Sequence, residues 1–120
     1  MIKKIGFLIL ILGGLLVSCE YSFTYSYSVT NSSDTTVDVR IKTNKIDSVF
    51  DLTKDETKIV YMTDHGTQSS KGPHFRDVKE DLKIFTVSKG QAQSRRDYLK
   101  NSNWDFEKGV YSTVITHDEF

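Results

Sequence analysis

Ten residues near the start of the chain alternate without a break. Tyr21, Phe23, Tyr25, Tyr27 and Val29 are apolar, and Ser22, Thr24, Ser26, Ser28 and Thr30 between them are hydroxylated. Period two is the signature of an extended strand, whose successive side chains point to opposite faces. Every residue in the run except serine also favours a strand. One face of that strand is almost wholly aromatic and needs a second layer to cover it, so the chain is expected to build packed sheets.

The rest of the chain continues in the same manner. Asn31-Ser32-Ser33-Asp34 are turn formers. Val37, Val39 and Ile41 alternate with Asp38, Arg40 and Lys42, so residues 21–43 read as a hairpin with a polar outer face. Ser48–Leu52 reads as a brief strand and Thr53–Thr57 as a polar turn. Lys58–Thr63 is apolar on both faces, which suggests a central strand. Residues 64–77, with Gly66, Gly72 and Pro73, read as a loop.

Leu82–Val87 is strand-like and is closed by Ser88-Lys89-Gly90. Residues 91–103 lack β-branched residues and read as a short helical or irregular stretch. Trp104 and Phe106 alternate again, Glu107-Lys108-Gly109 turns the chain, and Val110–Thr116 forms a last strand. About seven short strands with turn signals every 8–12 residues or so predict an all-β, immunoglobulin-like sandwich occupying residues 21–120.

The first twenty residues are different. Met1-Ile2-Lys3-Lys4 is basic, and Ile5–Val17 is a 13-residue apolar run. A spanning helix needs roughly 20 apolar residues, whereas the apolar region of a signal peptide needs only about 7–15. The run ends in Leu16-Val17-Ser18-Cys19, which resembles the lipobox of bacterial lipoproteins. That resemblance implies that residues 1–18 are removed, that Cys19 carries a diacylglycerol on sulfur and an acyl chain on its new amine, and that residues 19–20 are a short tether. Several acyl chains hold a protein stably on a membrane, where one does not.

Composition fits this reading. The chain has one cysteine, so no intrachain disulfide can form. Of its 16 basic and 16 acidic residues, Lys3 and Lys4 fall in the signal, leaving 14 against 16, a net −2, which excludes a basic nucleic-acid footprint. Thirteen of the 14 aromatics lie beyond Phe7, in the mature part, enough to build a core without disulfides.

Residue types that carry chemistry are sparse. His65 and His74 sit in the expected loop beside Asp64 and Asp77, and with His117 they match no metal-ligand spacing, so no metal and no cofactor are expected. No G-x-S-x-G elbow is present, and Ser69-Ser70 reads as polar loop. Asp51, Asp55, Glu56, Glu80 and Asp81 fall in expected turns and read as solvated acids. Lys54 and the spacing argue against a calcium loop at 51–56. No catalytic residue is assigned, and an enzyme is not expected.

The stripe at 21–27 reads first as a buried face. Its functional alternative is an exposed aromatic platform, with Tyr25, Tyr27, Tyr98 and Trp104 as the candidate binding surface. Arg95-Arg96 reads as a solvated pair. Asn31-Ser32-Ser33 matches an N-glycosylation sequon but reads as a turn.

Taken together, the lipobox, the run Y-S-Y-S-V-T-N-S-S-D-T-T-V-D-V and the ending G-V-Y-S-T-V-I-T are similar to the small immunoglobulin-like β-sandwich lipoproteins of Bacteroidetes-type bacteria. The resemblance implies a place in the cell envelope, on the outer membrane, periplasmic or surface-facing. It also implies O-glycan acceptors at Thr35, in Asp34-Thr35-Thr36, and Ser48, in Asp47-Ser48-Val49. The expected role is a non-enzymatic module that binds an envelope protein or a glycan. The alternative is a structural or assembly lipoprotein without a ligand.

Overall fold

A computed structural model describes residues 21–68 and 70–120. Residues 1–20, which hold the expected signal peptide, Cys19 and the expected tether, and Ser69 lie outside the described residues. Eight strands form two four-stranded sheets: β1 Tyr21–Asn31, β2 Val37–Lys42, β3 Asp47–Leu52, β4 Thr57–Thr67, β5 Ile84–Lys89, β6 Ala92–Gln93, β7 Asp105–Glu107 and β8 Val110–Ile115. The first sheet runs β4-β1-β8-β7 and the second β3-β2-β5-β6. The all-β sandwich expected from the sequence is the observed architecture.

The connectivity has its own character. β1 lies parallel to β8 and antiparallel to β4. The first, fourth, seventh and eighth strands share one sheet, which is not the immunoglobulin constant-domain division of strands. β1 and β2 are therefore not a hairpin. They face each other across the core, because the chain at Asn31 crosses between sheets instead of folding back.

Asn31 is fully buried and makes that crossing. Its Nδ2 donates to the carbonyls of Thr35 (2.8 Å) and Leu52 (2.9 Å), and its Oδ1 accepts from the Ser33 N–H and hydroxyl. Its main chain bonds Glu56 and Asp55. Every polar group of the side chain is thus satisfied inside the protein. The sequon asparagine, expected in a hairpin turn, is the corner at which the chain passes from one sheet to the other.

β4 is an edge strand, not a central one. Tyr27 pairs with Tyr61 and Ser28 with Ile59, so Val60 is an extra residue on β4. This bulge sends Val60 and Tyr61 consecutively into the core and leaves Ile59 and Met62 on the outer face. The two-faced apolar pattern that suggested a central strand is the mark of the bulge. β4 also runs on to Thr67, through the first part of the expected loop, because Tyr21–Thr24 of β1 pairs with Asp64–Thr67.

Between β4 and β5 the chain crosses sheets through a strap, residues 68–83. It contains a single helical turn, α1 Val78–Asp81, which no periodicity announced. Asp77 caps it by accepting from the Lys79 N–H. The stretch 91–103 is irregular: it holds the two-residue β6 and a 3-10 turn at Asn101–Asn103, with no α-helix. The core packs Tyr25, Tyr27, Val29, Val37, Val39, Ile41, Leu52, Phe85, Val87 and Tyr111 from both sheets, closed by Val78, Leu82, Tyr98 and Trp104. Tyr27 and Tyr111 stack at 4.6 Å, and Trp104 meets Tyr27 edge-on at 5.5 Å.

Candidate interaction surface

The aromatic platform does not exist as a surface. Tyr25 is 4% exposed, Tyr27 0%, Tyr98 1% and Trp104 6%. All four are core residues, because the inner face of β1 meets the second sheet and the 94–104 segment folds over its end. Their polar ends are used internally.

The Tyr25 hydroxyl donates to the His74 carbonyl at 2.8 Å, and the Tyr27 hydroxyl to Asp81 Oδ2 at 2.8 Å. The Tyr111 hydroxyl donates to the Arg76 carbonyl at 2.5 Å and accepts from the Arg76 N–H. Three tyrosines of the first sheet thereby pin the strap. Trp104 Nε1 donates to the Tyr98 carbonyl.

His65 is not a loop histidine. It lies on β4, its Nε2 is 2.7 Å from Asp81 Oδ1, and its ring meets Tyr25 edge-on at 5.3 Å. Asp81, expected as a solvated turn acid, is buried and bridges His65 and Tyr27. Histidine, carboxylate and tyrosine form a connected row, but its far end is sealed. Burial first, then the Asp81 hydrogen bond, raises the Tyr27 hydroxyl above its ordinary range. A hydroxyl with no exposure cannot meet a substrate, so the row fastens α1 to the first sheet.

A second buried carboxylate closes the chain's end. Glu119 accepts from the hydroxyls of Tyr98 and Ser94, pairs with Arg96 at 3.0 Å, and accepts from the Thr116 N–H. Burial and this carboxylate push the Tyr98 hydroxyl up. Arg96 also donates to the Val114 carbonyl, capping the edge of β8 past its last pair with β7. Arg96 is therefore structural and not a free surface cation.

Thr35 is exposed in the 32–36 turn. Ser48 is the second residue of β3, half-buried opposite Ile41 and two residues past the turn closed by Thr43 and Ile46. His74 presents its main-chain carbonyl to Tyr25, and His117 lies 3.3 Å from Asp34. Asp51 belongs to β3 and faces Asp38. Among the described residues no group of three or more His, Cys, Asp and Glu could hold a metal ion. No helix among them is long and apolar enough to cross a membrane.

Four of the exposed aliphatic side chains gather elsewhere, while Val49 stands apart on β3 of the second sheet. Among the described residues Ile59, Met62, Val110 and Val114 are 40–57% exposed. All four stand on the outer face of the first sheet. The register sets them in rows: Met62–Ser26–Val110, Ile59–Ser28–Ser112 and Thr57–Thr30–Val114. A central hydroxyl stripe is thus flanked by aliphatic side chains on both sides.

Glu107 and Asp105 on β7 end two of these rows, and Asp64 lies above them, hydrogen-bonded to Thr24 at 2.6 Å. The surface is uncharged at its centre, and its border is mixed, with Lys45 beside Ile59 and Met62 and Arg96 beside Val114 as well as these acids. The signal for it was present in the sequence as the second half of the alternation, the hydroxyls.

Comparison with family models, curated proteins and solved structures returns no match.

Proposed function

We propose that this chain is a lipid-anchored envelope lipoprotein, held by acyl chains on Cys19, whose domain is a non-enzymatic binding module. The outer face of the first sheet is its docking surface, and the partner is a protein. One observation carries the binding reading. Four exposed aliphatic side chains converge on one sheet face around a hydroxyl stripe. A partner with a small apolar patch and a polar border complements it.

The largest exposed apolar patch of a soluble domain is often its functional surface. A glycan ligand would want exposed aromatic rings. Among the described residues the exposed aromatics are Tyr21 and Phe75, and neither lies in these rows. The face has four aliphatic side chains, few beside the roughly 20–30 residues a side of a stable interface. Transient contact suits it, with the anchor concentrating both molecules at one membrane.

The anchor rests on the lysines, the 13-residue apolar run and the Leu16-Val17-Ser18-Cys19 motif. An outer-membrane location follows from the resemblance, and protease shaving of intact cells assigns the side. Thr35 stands as the O-glycan acceptor, and intact mass of the native protein tests it.

The deciding experiment is crosslinking in intact cells, comparing the native protein with a Met62→Lys, Val110→Lys variant. Loss of one defined crosslinked protein, with unchanged membrane retention, supports the reading. Retention of that crosslink rejects this face. A Cys19→Ser protein that stays membrane-bound rejects the anchor.

A further inference from the structure

We infer that the domain stands on the membrane on one pole, with the β1–β4 ribbon at the lipid surface and Tyr21 set among the headgroups. The inference rests on the proposed lipid anchor and deepens it, since it fixes which way the domain points.

The first observation is chain length. Cys19 precedes the first residue of β1 by two positions. Even fully extended, two residues span only about 7 Å. The headgroup region on each side of the hydrocarbon is about 5–8 Å deep. A sulfur carrying acyl chains thus brings Tyr21 to the headgroup layer.

The second observation is the shape of the fold at that end. Pairing of β1 with β8 begins only at Ser26. Tyr21–Thr24 pairs with β4 alone, opposite Asp64–Thr67. The Gly109 turn reaches back to Thr24, where a side chain at 109 would lie 2.8 Å from the Thr24 carbonyl oxygen. The ribbon therefore leads the rest of the sandwich by three residues, about 10 Å at strand rise. Being hydrogen-bonded on both strands, it is a stiff stalk and not a loose linker.

The third observation is what the leading end presents. Tyr21 is 44% exposed. Tyrosine, apolar in its ring and polar at its tip, favours the headgroup level. Ser22, Gly66 and Gln68 are exposed and uncharged beside it, and Lys71 follows in the strap. The far pole differs. Asn31 ends β1 ten residues on, about 33 Å away. Around it lie Asp34, paired with Lys89 at 2.7 Å, and the exposed Asp55 and Asp118, and, among the described residues, no exposed aromatic side chain. The docking face then runs upright along the side of the domain, open to a partner.

The test uses the full lipidated protein in phosphatidylethanolamine–phosphatidylglycerol vesicles. Gln68→Cys or Thr35→Cys supplies a single free thiol for an environment-sensitive fluorophore, and quenching by headgroup spin-labelled lipid is read. Gln68 is chosen because only the ribbon, not the tether sequence, brings it near Cys19.

The expected result is several-fold stronger quenching at position 68 than at 35, reduced when Tyr21→Ser is added although the protein stays bound. Equal quenching at both positions of a bound protein overturns the orientation and leaves the anchor standing. Quenching at 68 unaffected by Tyr21→Ser overturns the role of Tyr21. A native protein that does not bind the vesicles overturns the anchor itself.

Discussion

The Tyr27 hydroxyl donates to Asp81 Oδ2 at 2.8 Å across 54 positions of chain, joining the centre of the first sheet to the one-turn helix of the strap. Asp81 also meets His65 Nε2 at 2.7 Å, so a buried carboxylate is shared between two strands and the strap. A carboxylate left short of a donor in such a place costs more than the lost bond alone. Tyr27→Phe is therefore expected to destabilise the domain by about 1–3 kcal/mol, with ring packing on Tyr111 kept. Urea unfolding measures it. A double-mutant cycle with Asp81→Asn should show coupling, and additive effects would exclude the link.

Glu119 offers the same test at the other end. Its carboxylate gathers Tyr98, Ser94, Arg96 and the Thr116 N–H, and fixes the 116–120 turn against the 94–98 segment. Glu119→Ala strands a tyrosine hydroxyl and a partly buried guanidinium. A loss of about 3 kcal/mol is expected, near the low end for breaking a buried pair because Arg96 is in part solvated. Hydrogen exchange should show residues 94–98 and 113–116 opening together in this variant.

Asp38 and Asp51 face each other on β2 and β3. The hydrogen bond that the protonated Asp38 carboxyl donates to Asp51, then burial and the like charge, raise Asp38 above its usual range. A carboxyl whose folded pKa is raised binds its proton more tightly folded than unfolded. The repulsion therefore weighs on the folded state above that pKa and is relieved as pH falls through it. Asp38→Asn should stabilise at neutral pH by about 0.5 kcal/mol or less, since the pair is solvated. The gain should vanish below about pH 4. Thermal melts across pH report it, and a gain that grows as pH falls would contradict the assignment.

Gly109 turns β7 into β8 at φ +83°, and a Cβ there would lie 2.8 Å from the Thr24 carbonyl and 3.2 Å from Pro73 Cγ. Both the conformation and the contact oppose a side chain. Gly109→Ala is expected to cost about 1–3 kcal/mol, whereas Gly90→Ala, also at positive φ but with open space around it, should cost less. Matched denaturation curves separate the two terms.

Local pattern made the strands legible. Alternation from Tyr21 to Thr30 and from Val37 to Lys42, and the β-branched run after Val110, are set by the two faces a strand offers to water and core. The aromatic count announced a core without disulfides, and the first twenty residues stood apart by composition alone.

Which strands share a sheet was decided only by the tertiary structure. A turn at Asn31 suits a hairpin or a crossing equally well. It crosses because the Asn31 side chain finds its partners on Leu52 and Thr35, and residue 52 is remote in sequence. The bulge at Val60 and the edge position of β4 depend on the partner strand and leave only an ambiguous two-faced pattern. The tyrosine stripe was visible, but its hydroxyls meet the strap some fifty residues away. Side-chain periodicity is a local property of the chain. Pairing, burial of polar ends and the choice of exposed face are properties of segments brought together, and the sequence by itself does not order them.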